Sequence, residues 1–432
     1  MLRFRWETRF KSTEIGEIPQ DWNESILADV VHIDQSPSRS SNLGNVRFIS
    51  MEDISADCYS PSSRAIDVKD IKSGKEVLPG SILVAKITPS FEHGKMCIVP
   101  GTVDQRWFAT TEVFSLNPKG NNDTRFIYYL LKHPSLRNIL ENSMSGTSGR
   151  QRVQSSAVKN LRICNPLYPE QSRCATILSW FDELIENKKR QNEVLDSMIM
   201  AIFKSWFIDF KPFKNGDFVD SPLGKIPKEW EVKPLEEIAI LSKGLSYSSS
   251  EISSEPQGDL FVTLNNFNRD GGFKTEYVHY IGSKAKEEHR VKEGDLVIAL
   301  TDMTPEARVV GAPAIVALPF GYGYGIISLD CGRLEPVKEC SRLYLYLYLK
   351  YSQEENSTYA NGVNVLHLNT KLFMQNKLVV VPSQTVVERF DSLIAPLSYK
   401  FTVNQKQILV LRKIRNALLP LLVFGKLRVE EI

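Results

Sequence analysis

The chain has 432 residues, of which 42% are hydrophobic and 24% charged, the balance of an ordinary globular protein with room for about two to three domains. No apolar run approaches the roughly 20 residues that span a bilayer, so we expect a cytoplasmic protein with no membrane partner. The formal net charge of +2 excludes a uniformly basic DNA-coating protein, and any DNA contact must rest on local patches.

Cysteines and histidines give no sign of a metal or redox centre. No two cysteines stand at a metal-ligand or redox spacing, and the six histidines are isolated from one another. No phosphate-cradling Gly-x-x-x-x-Gly-Lys-Ser/Thr is present. We therefore predict no metal, no cofactor and no catalytic group, with reduced and mostly structural thiols at Cys58, Cys97, Cys164, Cys174, Cys331 and Cys340.

A phrase near the start of the chain returns in its second half, and further matches follow in the same order. The matched pairs are residues 15–22 (IGEIPQDW) with 223–230 (LGKIPKEW), 80–85 (GSILVA) with 294–299 (GDLVIA), 114–116 (FSL) with 327–329 (ISL), and 169–171 (PEQ) with 382–384 (PSQ). Each copy ends in a long helical pattern. Two copies of one module predict a protein that does one job at two places.

Inside each module, short apolar strands alternate with Gly, Pro, Asn and Ser clusters. A helix is predicted at residues 125–142, where apolar residues recur at helical spacing. Its counterpart is the tyrosine-rich run at residues 342–350, which alternates like a strand but is predicted helical from the match between the copies. The expected fold class is α+β, with two strand-rich modules alternating with two long helices.

The expected division is a first module at residues 1–168, a long helix at 169–211, a linker at 212–220, a second module at 221–381, and a C-terminal long helix with its tail at 382–432. Apolar residues in both helices follow a 4-3 heptad spacing, which predicts that the helices pair as an antiparallel coiled coil in a pseudo-two-fold arrangement. The alternative is that they are ordinary core helices. Pro396 is expected to kink the second helix or delay its start.

Two sets of residues form the predicted packing seam. On the first helix they are Ile177, Phe181, Leu184, Lys188, Gln191, Leu195, Met198 and Ile202. On the second helix they are Phe390, Ile394, Leu397, Phe401, Asn404, Ile408 and Leu411. At 1.5 Å per residue such helices could hold two modules more than one DNA turn, about 34 Å, apart.

This order of phrases resembles the specificity (S) subunit of type I restriction-modification systems. The resemblance rests on the repeated 15–22 phrase, the glycine-led strands at 80–83 and 294–297, residues 145–150 (SGTSGR), the PEQ lead-in, residues 203–210 (FKSWFIDF) and residues 415–420 (RNALLP). The second copy departs from the pattern, with PSQ as its lead-in and Pro396 inside its helix. The departures put the geometry of the second helix in doubt.

The resemblance implies a non-catalytic subunit with two target-recognition domains that read the two halves of a bipartite double-stranded DNA target. It also implies two modification subunits, which carry S-adenosylmethionine and methylate adenine, and restriction subunits, which use ATP and Mg. Because the framing phrases repeat while the module interiors differ, the target is expected to be asymmetric.

Residues able to contact DNA are Arg, Lys, Asn, Gln or Ser on exposed loops. The candidates in the first module are Ser38, Arg39, Ser40, Asn42, Thr147, Ser148, Arg150 and Arg152. Those in the second are Lys243, Tyr247, Asn265, Asn266, Arg269, Asn361, Asn364 and His367, with Gly362 matched to Gly149. The alternative is that these segments are solvated turns, which use the same residue types.

Two other functions stay open. The first is a coiled-coil adaptor whose modules bind proteins and not specific DNA. The second is a self-sufficient methyltransferase-endonuclease, since residues 165–168 (NPLY) resemble the Asn-Pro-Pro-Tyr signature of adenine methyltransferases. The missing second proline and the lack of a glycine-rich cofactor loop oppose it.

Overall fold

The computed structural model describes residues 2–35, 44–57, 59–101, 105–147, 149–304, 306–337 and 340–431. It divides into two units, Met1–Asn187 with Leu411–Ile432 and Lys188–Val410. Each unit contains one of the repeated modules and a part of each long helix. None of the helices in the described part of the chain is long and apolar enough to cross a membrane.

The first unit is built from two four-stranded sheets and several two-stranded ribbons. The first sheet has the order Met96–Ile98, Ile82–Ala85, Val113–Pro118, Val31–Ile33. The second has the order Arg64–Asp67, Asn45–Ile49, Trp107–Ala109, Lys75–Val77, and its central pair is parallel. The ribbons pair Leu2–Trp6 with Leu427–Glu431, Phe10–Thr13 with Gly16–Pro19, and Asn23–Ile26 with Arg162–Asn165. The short helices are Leu27–Val30, Thr124–Leu131, Pro134–Asn142 and Ser155–Lys159, with a 3₁₀ turn at Val68–Asp70.

The second unit repeats this plan. Its first sheet has the order Pro313–Ile315, Leu296–Ala299, Cys331–Pro336, Ala239–Lys243. Its second has the order Ile252–Ser253, Val278–Tyr280, Asp259–Val262, Gly325–Ile327, Arg290–Val291. Ribbons pair Phe218–Ser221 with Gly224–Pro227 and Glu231–Pro234 with Leu378–Val381, and a three-stranded sheet joins Thr301–Asp302, Leu366–Leu368 and Ala360–Asn361. The helices are Leu235–Ile238, Arg342–Tyr351, Gln353–Ser357 and Thr370–Asn376, with 3₁₀ turns at Lys211–Phe213, Ser249–Glu251, Leu264–Asn266 and Glu287–His289.

The first sheets of the two units have the same strand order, and the second sheets differ by one added edge strand, Ile252–Ser253. This agreement confirms the internal repeat, but one of the four sequence matches was wrong. Leu116 lies opposite Ile82, and Leu334 lies opposite the equivalent Leu296. Residues 114–116 therefore match 332–334 and not 327–329. The connection that follows the glycine-led strand is longer in the second module, with 13 residues between Ala299 and Pro313 against 10 between Ala85 and Met96, and a three-residue match cannot reveal such an insertion.

The predicted helix at residues 125–142 is two helices, Thr124–Leu131 and Pro134–Asn142. Pro134 occupies the first turn of the second helix, where a missing N–H has no cost, and His133 is its N-cap. The stripe of apolar residues hid this break because it continues across both pieces. The tyrosine-rich run is a helix, Arg342–Tyr351, as predicted.

The repeated phrase has a structural role in each module. Ile18 and Trp22 are buried in the first core, as Ile226 and Trp230 are in the second. The indole N–H of Trp22 donates to the carboxylate of Glu170 at 2.9 Å, so the phrase holds the start of the long helix in place.

The central helix runs from Tyr168 to Phe207 and ends four residues before the predicted Lys211. At its end the amide of Asp209 reaches back to the carbonyl of Lys204, and Phe210 adopts a left-handed conformation with φ of +48°. That conformation closes the helix before Pro212 could interrupt it.

The buried stripe of the central helix is offset by one residue from the predicted seam. Leu184 and Met198 are 47% and 46% exposed, whereas Ile177 is buried and Phe181 and Leu195 are half-buried. Gln191 is exposed but accepts a hydrogen bond from Asn404 at 3.2 Å, as its place in the seam predicted. The buried stripe consists of Leu178, Asp182, Ile185, Asn192, Ile199 and Phe203. A shift of one residue is a rotation of about 100°. Two members of the true stripe are polar, so apolar spacing alone favoured its neighbour.

The C-terminal helix runs from Gln384 to Val423 and includes Pro396, so its start is not delayed as that residue suggested. The predicted residues lie on its inward face. Phe390, Ile394, Asn404 and Ile408 are buried, and Leu397, Phe401 and Leu411 are half-buried.

Within each unit the segments of the two long helices contact each other. In the second unit Lys188 donates to Gln407 at 2.5 Å, and the rings of Phe207 and Phe390 lie 4.7 Å apart. In the first unit Arg415 donates to the buried carboxylate of Asp182.

Candidate nucleic-acid interface

A tight hairpin projects from the first module at residues 145–152. Ser145 and Arg152 exchange both backbone hydrogen bonds, at 2.9 and 3.1 Å, and the amide of Arg150 donates to the carbonyl of Thr147 at 2.9 Å. Gly146 opens the turn with φ of +133°, and a Cβ there would lie 3.0 Å from the carbonyl oxygen of Arg150. The turn thus requires glycine at this position.

The second module carries the equivalent hairpin between Ala360–Asn361 and Leu366–Leu368, with Asn361 opposite His367. Gly362 opens the turn with φ of +135°, and a Cβ there would lie 2.1 Å from the carbonyl oxygen of Val365. Glycine is therefore required at Gly362 as it is at Gly146, and the closer carbonyl oxygen makes the requirement stricter.

The attachment of the two hairpins shows which of their residues correspond. Arg152 bridges to Ile87, and His367 pairs with the equivalent Thr301. Gly362 therefore matches Gly146 and not Gly149, and the sequence match of these loops was wrong by three residues. The sequence match chose Gly149, a second glycine of the first loop that has no equivalent in the second loop.

Most predicted hairpin residues are exposed. They are Thr147, Arg150 and Arg152 in the first module and Asn361, Asn364 and His367 in the second. The guanidinium of Arg152 forms a two-pronged ion pair with Glu112, at 2.9 and 3.1 Å, which fixes its direction. Ser148, and the whole loop with Ser38, Arg39, Ser40 and Asn42, lie outside the described residues.

A long stretch without acidic residues surrounds each hairpin. Residues 142–169 contain no Asp or Glu, and neither do residues 356–387. The two stretches correspond in the repeat, since each includes the hairpin and the following edge strand. A segment without carboxylates of its own suits an approach to phosphates.

Glu112 and Asp330 occupy equivalent positions in the two modules, and the sequence analysis identified neither as part of the candidate interface. Each directly precedes the equivalent strand of its module, Val113–Pro118 or Cys331–Pro336. Asp330 accepts hydrogen bonds from Tyr247 at 3.0 Å and from Thr301 at 3.3 Å. Both acids therefore lie at the base of a hairpin, and only a correct alignment of the modules would have revealed them.

Tyr247 is linked to the hairpin of the second module by its hydrogen bond to Asp330. Burial, followed by the charge of Asp330, raises the pKa of its phenol to about 12, so the hydroxyl stays protonated. Lys243, Asn265 and Arg269 are exposed on other segments of the same module.

Asn266 is not available to DNA, which corrects its prediction as a contact residue. Its side chain is fully buried, accepts from the amide of Thr263 at 2.9 Å and donates to the carbonyl of Lys274 at 3.0 Å. These bonds cap the 3₁₀ turn Leu264–Asn266. Turn-capping and base-reading use the same residue type, so composition could not separate them.

The segment that resembles a methyltransferase signature is also structural. The carboxamide of Gln171 donates to the side chain of Asn165 at 2.8 Å and to the carbonyl of Pro166 at 2.9 Å. The segment thereby anchors the lead-in of the central helix. Among the described residues, no group of three or more His, Cys, Asp or Glu side chains could hold a metal ion.

The model of the family described as type I restriction modification DNA specificity domain matches the chain twice, at residues 19–197 and 227–411. The chain belongs to this family. Each match covers one module and most of the long helix that follows it, in agreement with the repeat. The resemblance inferred from the repeated phrases is thereby confirmed.

Relatives along the whole chain carry the same description. The type I restriction enzyme MjaIX specificity subunit of Methanocaldococcus jannaschii is 33% identical over 449 residues, which cover 100% of this chain and 99% of the relative. The putative MjaX specificity subunit of that organism is 24% identical with the same coverage. The crystal structure of a type I restriction-modification S subunit from M. genitalium is similar in fold, with a TM-score of 0.51, 17% identity, and coverage of 93% of this chain and 96% of that chain. The chain is thus similar to type I specificity subunits along its whole length in sequence, and to the solved S subunit in fold.

Proposed function

We propose that this specificity subunit reads an asymmetric bipartite DNA target, with one half-site for each module. The observation that carries the proposal is the pair of equivalent hairpins, each held by an obligatory glycine within an acid-free stretch. A fixed, exposed loop without carboxylates suits the approach to a DNA groove. The tip residues differ between the hairpins, which favours two different half-sites.

We further propose that the two long helices form an antiparallel coiled coil that sets the gap between half-sites. The contacts of Lys188 with Gln407 and of Asp182 with Arg415, each within its own unit, support such pairing. A 40-residue helix is about 60 Å long, enough to exceed one DNA turn of about 34 Å.

The DNA-contact set remains part of the proposal. In the first module it includes Thr147, Arg150 and Arg152, with Ser38, Arg39, Ser40, Asn42 and Ser148 from segments outside the described residues. In the second it includes Lys243, Tyr247, Asn265, Arg269, Asn361, Asn364 and His367. Arg152 suits phosphate or guanine, because Glu112 already orients its guanidinium.

The partners follow from the family. We propose that the chain has no catalytic activity of its own and docks two modification subunits, which supply S-adenosylmethionine chemistry. Restriction subunits that use ATP and Mg would join the same assembly. We expect the assembly in the cytoplasm, because its proposed substrate is the chromosome. The proposed division keeps residues 1–168 and 221–381 as the target-recognition domains.

A methyl-transfer assay tests this function. The purified full chain and its co-purified methyltransferase partner are incubated, separately and together, with labelled S-adenosylmethionine and host DNA that lacks the modification. We expect transfer only when both are present, at sites sharing one bipartite motif. Transfer by the chain alone would favour the self-sufficient enzyme. Equal transfer to all sites by the partner alone would favour the adaptor and contradict the proposal.

A further inference from the structure

The two hairpins share a backbone but differ in the chemistry of their tips. After the obligatory glycine, the first module has Thr147 and then Arg150, both hydrogen-bonding side chains. The second module has Val363 in the place of Thr147 and Val365 shortly after it. At the position after the glycine, the same scaffold thus presents a polar side chain in one module and an apolar one in the other.

Val363 is too exposed to serve the core of the second module. Its side chain is 91% exposed. Met303, 75% exposed, follows Asp302, which pairs with Leu366 of the hairpin, so a second apolar side chain lies at the same end of the module. Single exposed apolar residues need no explanation, but Val363 extends from a glycine-constrained turn inside an acid-free stretch.

The turn that carries Val363 is fixed from both sides. On one side is Gly362, where the Cβ of any other residue would collide with a backbone oxygen. On the other side Leu366 pairs with Asp302, whose buried carboxylate accepts from the amides of Thr304 and Val309 at 2.8 and 2.7 Å. A side chain on such a frame keeps its position when a ligand arrives.

The major groove of DNA presents an apolar group that a valine side chain can contact. In the major groove the 5-methyl group of thymine distinguishes a T·A pair from a C·G pair, and small apolar side chains contact it. Resting on the proposed function, we infer that Val363 is a specificity-determining residue that contacts the 5-methyl group of a thymine in the half-site of the second module. Thr147 occupies the equivalent place for the other half-site.

Uracil substitution tests this assignment, because uracil pairs like thymine but lacks the methyl group. The full chain with its methyltransferase partner is titrated against duplexes of its mapped target, in which each thymine of both half-sites is replaced in turn. We expect one replacement, in the half-site read by the second module, to weaken binding about fourfold, the value of one buried methyl group. Val363→Ala, which loses both γ-methyl groups and their reach towards the base, should bind the thymine and uracil duplexes equally, whereas Val363→Thr, which keeps one γ-methyl group, should retain the difference.

The matched control is Thr147→Ala, which should leave the thymine-to-uracil ratio at that position unchanged. Circular dichroism and the thermal midpoint of Val363→Ala should equal those of the wild type, because the residue packs against little. The inference is overturned if the wild type discriminates at no thymine, or if Val363→Ala keeps the wild-type ratio. If the wild-type complex binds its target no better than random duplex, the proposed function itself fails, which is a different result.

Discussion

Asn404 donates a hydrogen bond to the side-chain oxygen of Asn192 at 3.0 Å, between segments of the two long helices in the second unit. Both residues are buried, and Ile199 and Ile408 on the same helices are buried as well. Asn192 in turn donates to the carbonyl of Phe401 at 3.2 Å. A buried polar pair in an apolar seam penalises every register that would separate its members, so this pair fixes how the helices align.

Replacing Asn404 by Leu is expected to lower the free energy of unfolding by about 1–3 kcal/mol, because the buried side-chain oxygen of Asn192 loses the donor that Asn404 supplies. Urea unfolding measures the change. The double replacement Asn192→Leu with Asn404→Leu should recover most of the loss, since both polar groups are then gone. Lys400→Ala, at an exposed position of the same helix, is the control and should be neutral. A double variant no more stable than the single one would refute this role.

Arg415 stabilises the first unit through two acids. Its guanidinium is buried, pairs with the buried carboxylate of Asp182, and lies 2.6 Å from that of Asp57. Arg415→Met should therefore destabilise the protein by about 3–5 kcal/mol, because it leaves negative charge buried without compensation. The exposed neighbour Lys413→Ala serves as the control in thermal unfolding. Equal stability of the two variants would show that the acids are not held by Arg415.

Glu7 makes the first unit sensitive to acid. Burial alone would raise the pKa of its carboxyl, but the amides of Arg9 and Thr8 and the guanidinium of Arg428 outweigh this and lower the pKa from 4.5 to about 2. A pKa lowered by folding contributes stability that is fully present above the unfolded value and is lost as the pH falls through the folded value.

We therefore expect Glu7→Gln to be less stable than the wild type at pH 7, and the difference to shrink between pH 4.5 and about 2. Urea unfolding across this range measures it. Glu17→Gln, at an exposed position, provides the matched change of charge. A constant difference between the wild type and Glu7→Gln over the whole range would contradict the assignment.

Arg150→Ala should weaken binding of the target and lower the slope of log affinity against log salt by about 0.9, if Arg150 contacts a phosphate. If it contacts a base, the salt slope stays nearer the wild-type value and discrimination at one position of the half-site relaxes. Fluorescence anisotropy at several salt concentrations distinguishes the two. Arg9→Ala is the control, because it removes an exposed positive charge outside the acid-free stretch. Unchanged affinity and unchanged slope would remove Arg150 from the interface.

The sequence was sufficient to predict the repeat, both long helices and the family, because these depend on apolar letters at fixed spacing. It was insufficient where a polar residue faces inward. Asp182 and Asn192 belong to the buried stripe only because Arg415 and Asn404 supply their hydrogen bonds from the other helix. No local pattern contains that information, and the predicted seam therefore shifted by one residue.

The candidate interface was only partly predictable for a similar reason. Loop composition pointed to the hairpins at residues 145–152 and 361–367, but their alignment depends on which glycine has a positive φ of about +135°. The sequence alone does not show whether Gly146 or Gly149 matches Gly362. The bridge from Arg152 to Ile87 identifies Gly146. The prediction that Asn266 contacts DNA was wrong, because asparagine serves equally as a turn cap and as a base-contacting residue.

The measurement that tests the central claim most directly is a genome-wide map of methylated adenine in the native host, with this gene intact and deleted. We predict that one bipartite, asymmetric motif loses its methylation on deletion and regains it on complementation. An unchanged map from a host whose methyltransferase partner is expressed and active would contradict the claim that this chain is the reader.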